Sequence, residues 1–254
     1  MFGSFNLGRG FKLYNTGDYI GALEKLNKAV NSGDLNSDEM YDAHVAAGAC
    51  FIEIGNYAFY GCSLVNLKSL PAYIQKIGKM AFYECKFTEL SFPSSLTQMG
   101  ERAFGDSSLK SVTTPANLKV LPKGAFQYCN NLETISIEGV TEIGEDAFQW
   151  CQKLKKVYIP LSVIKIGKAA FFDCSELAEV SISSNVKNIE NFAFSNCYKL
   201  REVTCYGTNP PTLGTNEPFT PTYASSNKLY VPKGYVNAYK NKGYSTYFGK
   251  FIEL

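Results

Sequence analysis

Few side chains in this 254-residue chain have the identity and spacing that chemistry requires. The single histidine, His44, is the one ready general base near neutral pH, and any Ser-His-Asp or Cys-His set would have to include it. Its nearest cysteine, Cys50, falls in the same expected helix, so His44 is read as a packing or surface residue. Acidic neighbours such as Glu145 and Asp146 lie in turn-like sequence, where solvation is the ordinary outcome. The chain has no P-loop, no glycine-rich fingerprint opening a helix after a strand, and no EF-hand loop. No catalytic, cofactor-binding or metal-ligating residue is assigned, and the chain is read as a non-enzyme.

The eight cysteines invite a metal or disulfide reading that their spacing argues against. There is no CxxC. Six of them, Cys62, Cys85, Cys129, Cys151, Cys174 and Cys197, occupy one repeating position that Ser107 also fills. A metal needs ligands converging on one point, not a ladder along one face. Secreted disulfide frameworks bridge varied spacings. The rung is therefore read as a small, buried, weakly polar group, and the cysteines as structural thiols.

What positions that ladder is a repeat. An Ala-Phe pair recurs with its ring at Phe59, Phe82, Phe104, Phe126, Phe148, Phe171 and Phe194, at gaps of 23, 22, 22, 22, 23 and 23 residues. Five residues before each Phe stands Ile54, Ile77, Met99, Leu121, Ile143, Ile166 or Ile189, usually followed by Gly. After the Cys comes an apolar anchor, then an alternating stretch such as Val157-Tyr158-Ile159, the mark of a half-buried strand. Pro93, Pro115 and Pro160 close some of these strands, where a missing amide does least harm. Each coil thus has one strand, one tight turn and one compact Ala-Phe segment, a helical turn or short helix. No coil can bury its apolar residues alone; stacking joins the strands into a parallel sheet and the rings into one core.

The pattern I-G-x-x-A-F-x-x-C-x-x-L-x-x-V-x-I-P closely resembles the BspA-like class of leucine-rich repeats, best at Ile143 to Ile159 and Ile166 to Ile182. The fold expected is an α/β right-handed solenoid of about seven coils, with departures at Ser107 and Pro122 and a less regular N-terminal half. Residues 54–205 are assigned to the repeats. Residues 1–53 read differently: Gly10, Gly17-Asp18-Tyr19, Ala22 and Ala29 resemble a tetratricopeptide repeat, with a partial second copy from Gly48. That segment is read as a helical cap over the first coil. Residues 206–254 are read as a Pro/Gly/Thr-rich linker and a mixed cap holding a last short strand at Leu229-Tyr230-Val231.

Composition limits the partners. A net charge of +2, with scattered Lys and Arg, gives no case for nucleic acid, and no apolar run reaches the ~18 residues of a membrane helix. The opening MFGSFNLGRG lacks a long apolar stretch, so no signal peptide is read there. The surface left for binding is the outward row of the strands. One stripe is Lys68, Ser91, Thr113, Ser136, Tyr158, Ser181 and Thr204; its neighbour is Asn66, Glu89, Ser111, Thr134, Lys156, Glu179 and Glu202. A hydroxyl-rich ribbon with one aromatic suits a protein or a glycan. Tyr128 and Trp150 form a second, convex candidate patch. The family resemblance implies an adhesin-like module on the cell surface or outside the cell, binding through the concave strand face. A cytoplasmic scaffold working through the tetratricopeptide-like helices is the other reading.

Overall fold

A computed structural model describes residues 53–64, 66–72, 74–220 and 224–254. Within them the chain winds as a parallel β-solenoid of about nine turns, each coil contributing to three columns. The first column is built of two-residue strands: Glu53–Ile54, Lys76–Ile77 and Gln98–Met99 form one sheet. Val120–Leu121, Glu142–Ile143, Lys165–Ile166, Asn188–Ile189 and Thr212–Leu213 form another. The second column holds the longer strands. It begins as a Ser69–Ser91 bridge, continues as Ser111–Thr113 beside Thr134–Ser136, and becomes regular from Lys156–Ile159 onward. There Glu179–Ile182, Glu202–Cys205, Lys228–Val231 and Lys250–Glu253 follow in register. The expected irregularity of the N-terminal half is thus a shortening of this column.

The third column carries the Ala-Phe segments, and here the helical expectation is corrected. Among the described residues the one α-helix is Val236–Asn241. The Ala-Phe segments are runs of turns with two left-handed residues per coil, two before and two after each Phe, for example Asp146 and Trp150 around Phe148. Alternate amides bond inside the coil, while those between reach the next one. Phe59 N–H donates to Ala81 O at 2.7 Å, and Phe148 N–H to Ala170 O at 2.8 Å. An α-helix would consume its carbonyls internally. The turn run spends them on the neighbouring coil, which is what a stack needs.

The Phe ladder is fully realised. Successive rings from Phe59 to Phe194 stack with centroids 5.1–5.6 Å apart and planes within 15°. The spacing is close to the ~4.8 Å between strands, so one ring per coil fills the core without gaps. The expected seven coils fall short of the nine or so observed: Phe219 stacks on Phe194 at 5.2 Å as an eighth ring, beyond residue 205 where the sequence pattern closes. Leu213-Gly214 plays the Ile-Gly part there and pairs with Ile189, but one extra residue and Pro218 in place of Ala disguise the copy. The helix and the Lys250–Glu253 strand then cover the end, with Tyr239, Tyr244 and Phe248 buried. The Tyr239 hydroxyl donates to Gly207 O at 2.7 Å and that of Tyr244 to Pro211 O at 3.2 Å.

The Gly of the Ile-Gly pair has a steric cause. A Cβ on Gly144 would fall on Leu121 O of the preceding coil, so backbone packs on backbone there. The tetratricopeptide-like helices, His44 and Cys50 lie outside the described residues.

Candidate binding face and thiol ladder

Each described cysteine is buried, and Cys85, Cys129, Cys151, Cys174, Cys197 and Cys205 are free thiols. In the ladder, Sγ donates to the carbonyl of the preceding coil's Phe: Cys85 to Phe59 at 3.0 Å, Cys129 to Phe104 at 3.1 Å, Cys197 to Phe171 at 3.2 Å. The Phe59 and Phe171 carbonyls also accept the amide of their own coil's Cys, so the rung suits a short side chain with one donor. Ser107 meets that need and sits 3.3 Å from Cys129 Sγ. Among the described residues no group of His, Cys, Asp and Glu is placed to hold a metal.

Burial pushes these thiols up, Cys129 and Cys205 to about 12 and Cys151 and Cys197 well above the ordinary value. Unfolded thiols ionise near ~8.5, so above that pH the unfolded chain binds fewer protons than the folded one. Stability from this source is complete below about pH 8.5 and declines as pH climbs towards the folded values, by up to about 1.4 kcal/mol per thiol per pH unit. Thermal melts between pH 7 and 10.5 are expected to show a steepening fall in Tm above pH 8.5, reduced in a Cys151→Ser/Cys174→Ser variant. An unchanged slope in that variant would refute the assignment.

Glu145 and Asp146 correct the exposed-turn expectation. Glu145 pairs with Lys123 at 3.1 Å and Lys168 at 3.7 Å, while the Asp146 carboxyl is largely covered and burial raises its pKa.

The strand face is where most of the candidate binding residues meet. Lys156 faces Glu179 across one rung and Tyr158 faces Ser181, in a sheet that continues to Glu202 and Thr204. Thr134 and Ser136 pair with Ser111 and Thr113 in a separate two-strand ladder, so these two groups form neighbouring but distinct patches. Ser91 stands on the single bridge, and its partner is Ser69, one residue along from the Lys68 expected from spacing. Lys68 instead reaches Glu89 at 3.4 Å. Tyr158 projects from the face at 57% exposure between small hydroxyl neighbours.

Two features escaped the sequence reading. Register extends both stripes through Lys228 and Tyr230, which lie beside Glu202 and Thr204. A second tyrosine therefore stands three rungs from Tyr158, about 14 Å away at the usual strand spacing. The charged stripe is also neutralised internally: Lys156 meets Glu179 at 2.8 Å, and Lys228 meets Glu202 at 2.8 Å. Only register shows these pairings, although the Lys228-Leu229-Tyr230 alternation was a usable signal. On the turn column, Tyr128 and Trp150 lie with centroids 6.3 Å apart, and a further stack of Tyr60 on Tyr83 at 5.3 Å joins that surface.

This coil geometry is that of a leucine-rich repeat solenoid, and the match to known repeats agrees. The family described as "BspA type Leucine rich repeat region" matches residues 52–163 and 141–217, in six copies. The chain belongs to that family. Repeats of this kind are typically non-enzymatic binding modules and generally bind other proteins. Among solved structures, the chain is similar to the pneumococcal vaccine antigen PcpA at 15% identity, covering 80% of this chain and 84% of that one, TM-score 0.44. It is similar to a Treponema pallidum leucine rich repeat protein at 27% identity, covering 80% of each, TM-score 0.45. A leucine-rich repeat protein from Bacteroides ovatus shares 20% identity over 73% of this chain and 62% of that one, TM-score 0.39. A comparison with curated proteins gives no match. No helix among the described residues is long and apolar enough to cross a membrane.

Proposed function

We propose that the chain is a protein-binding module that works through the outward face of its long strands, in an adhesin-like role at the cell surface. The observation that carries this reading is the ordered run from Lys156 to Tyr230. A rigid parallel sheet there displays two tyrosines, intervening hydroxyls and self-neutralised charges on side chains the core does not need. Tyrosine supplies large contact area at low entropic cost, and serine and threonine supply adaptable hydrogen bonds. The paired charges resist desolvation less than isolated ones would. The cell-surface placement rests on what members of the repeat family do.

The test is a double substitution, Tyr158→Ala with Lys156→Ala, measured against a captured partner. Truncating a central aromatic and freeing Glu179 is expected to weaken binding at least tenfold while Tm stays within about 2 °C, because both side chains are solvent-facing. Unchanged affinity in the double variant contradicts the assignment.

A further inference from the structure

A groove of about 510 Å³ opens on the short-strand side, away from the long-strand face. That volume is in the range of small-ligand sites. Successive coils line it, through Ile164, through Lys187 and Asn188, and through Asn209 and Thr212; Lys242, just past the helix, closes one side. No carboxylate is among its lining residues. Its charge balance differs from the column beside it, where Lys165 is held between Glu142 and Glu190 at 3.0 Å each. Lys187 and Lys242 are exposed and make no ion pair with the described residues, and the side-chain amides of Asn188 and Asn209 have no hydrogen-bond partner among them.

We propose that this groove binds an acidic sugar, a saccharide unit carrying a carboxylate. Two uncompensated ammonium groups converging on one concavity favour an anion. Each asparagine amide offers both a donor and an acceptor, the combination that vicinal hydroxyls require and a bare carboxylate does not. Ile164, 44% exposed, adds an apolar surface for the C–H face of a ring. An acidic peptide would also satisfy the lysines, and its backbone would pair with the asparagine amides; the exposed Ile164 face is what favours a sugar ring, and hexaglutamate separates the two.

Calorimetric titration with a galacturonic acid trimer tests this, with the neutral galactose trimer and hexaglutamate as comparisons. The acidic trimer is expected to bind in the millimolar range or tighter, and more weakly as salt rises. The neutral trimer and hexaglutamate should each bind at least tenfold more weakly. Lys187→Ala with Lys242→Ala, and separately Asn188→Ala with Asn209→Ala, should each lower the affinity about tenfold or more without moving Tm. The Tyr158→Ala/Lys156→Ala variant should bind the trimer as the parent does, so the two surfaces are judged separately. Absence of millimolar binding, equal binding of hexaglutamate or of the neutral trimer, or indifference to the asparagine pair each overturns the proposal.

Discussion

Phe148→Ala is expected to cost about 3–5 kcal/mol, the largest single loss on the molecule. Its ring is fully buried and stacks on Phe126 at 5.4 Å and on Phe171 at 5.2 Å. Truncation removes the transfer term, two aromatic contacts worth about 0.5–1.5 kcal/mol each, and leaves a cavity whose walls are held by neighbouring coils. Solenoid stability is a sum of coil and interface contributions, so a void at this rung loosens two interfaces together. Urea denaturation should show a large drop in midpoint, with the transition broadening or splitting as the two halves uncouple. A loss under about 1 kcal/mol would mean that the ladder is not the core.

Gly139→Ala comes next, at about 2–5 kcal/mol from two separate causes. Gly139 has φ +65° and forms the centre of a tight turn in which Val140 N–H donates to Glu138 O at 2.8 Å. A left-handed position costs an L-residue about 1–2 kcal/mol. The new methyl would also fall on Ala116 O of the coil below, so one of the two coils must move, an overpacking cost of about 1–3 kcal/mol. The same melts read this variant, and a Tm within 2 °C of the parent would show that the coils can spread there freely.

How much of this was legible follows from repetition. The Phe ladder, the Ile-Gly positions and the Cys rung each recur in coil after coil, so the solenoid could be read from spacing alone. Phe219 was missed because its coil carries an extra residue, Pro218 for Ala and no Cys, and each of those changes erases one marker. The turn column was read as a helical turn or short helix because Ala-Phe and small polar neighbours suit both. What separates them is the bonding of alternate amides to the next coil, a long-range fact. The outward side chains from Thr113 to Thr204 were legible, since alternation fixes which of them point away from the core. The pairing of Lys156 with Glu179 was hidden because it depends on register between strands 23 residues apart. The groove around Lys187 and Lys242 was invisible for the same reason, with its walls 55 residues apart in sequence.

The central claim is that partners meet the long-strand face rather than the turn column. A photo-crosslinking phenylalanine analogue placed at position 158, or in a second protein at position 128, reads this directly. Both parent side chains are exposed aromatics, so neither substitution should disturb the fold. The account predicts a covalent adduct with the bound protein from position 158 and none from 128. Adducts from 128 alone would place the interface on the turn column and contradict it.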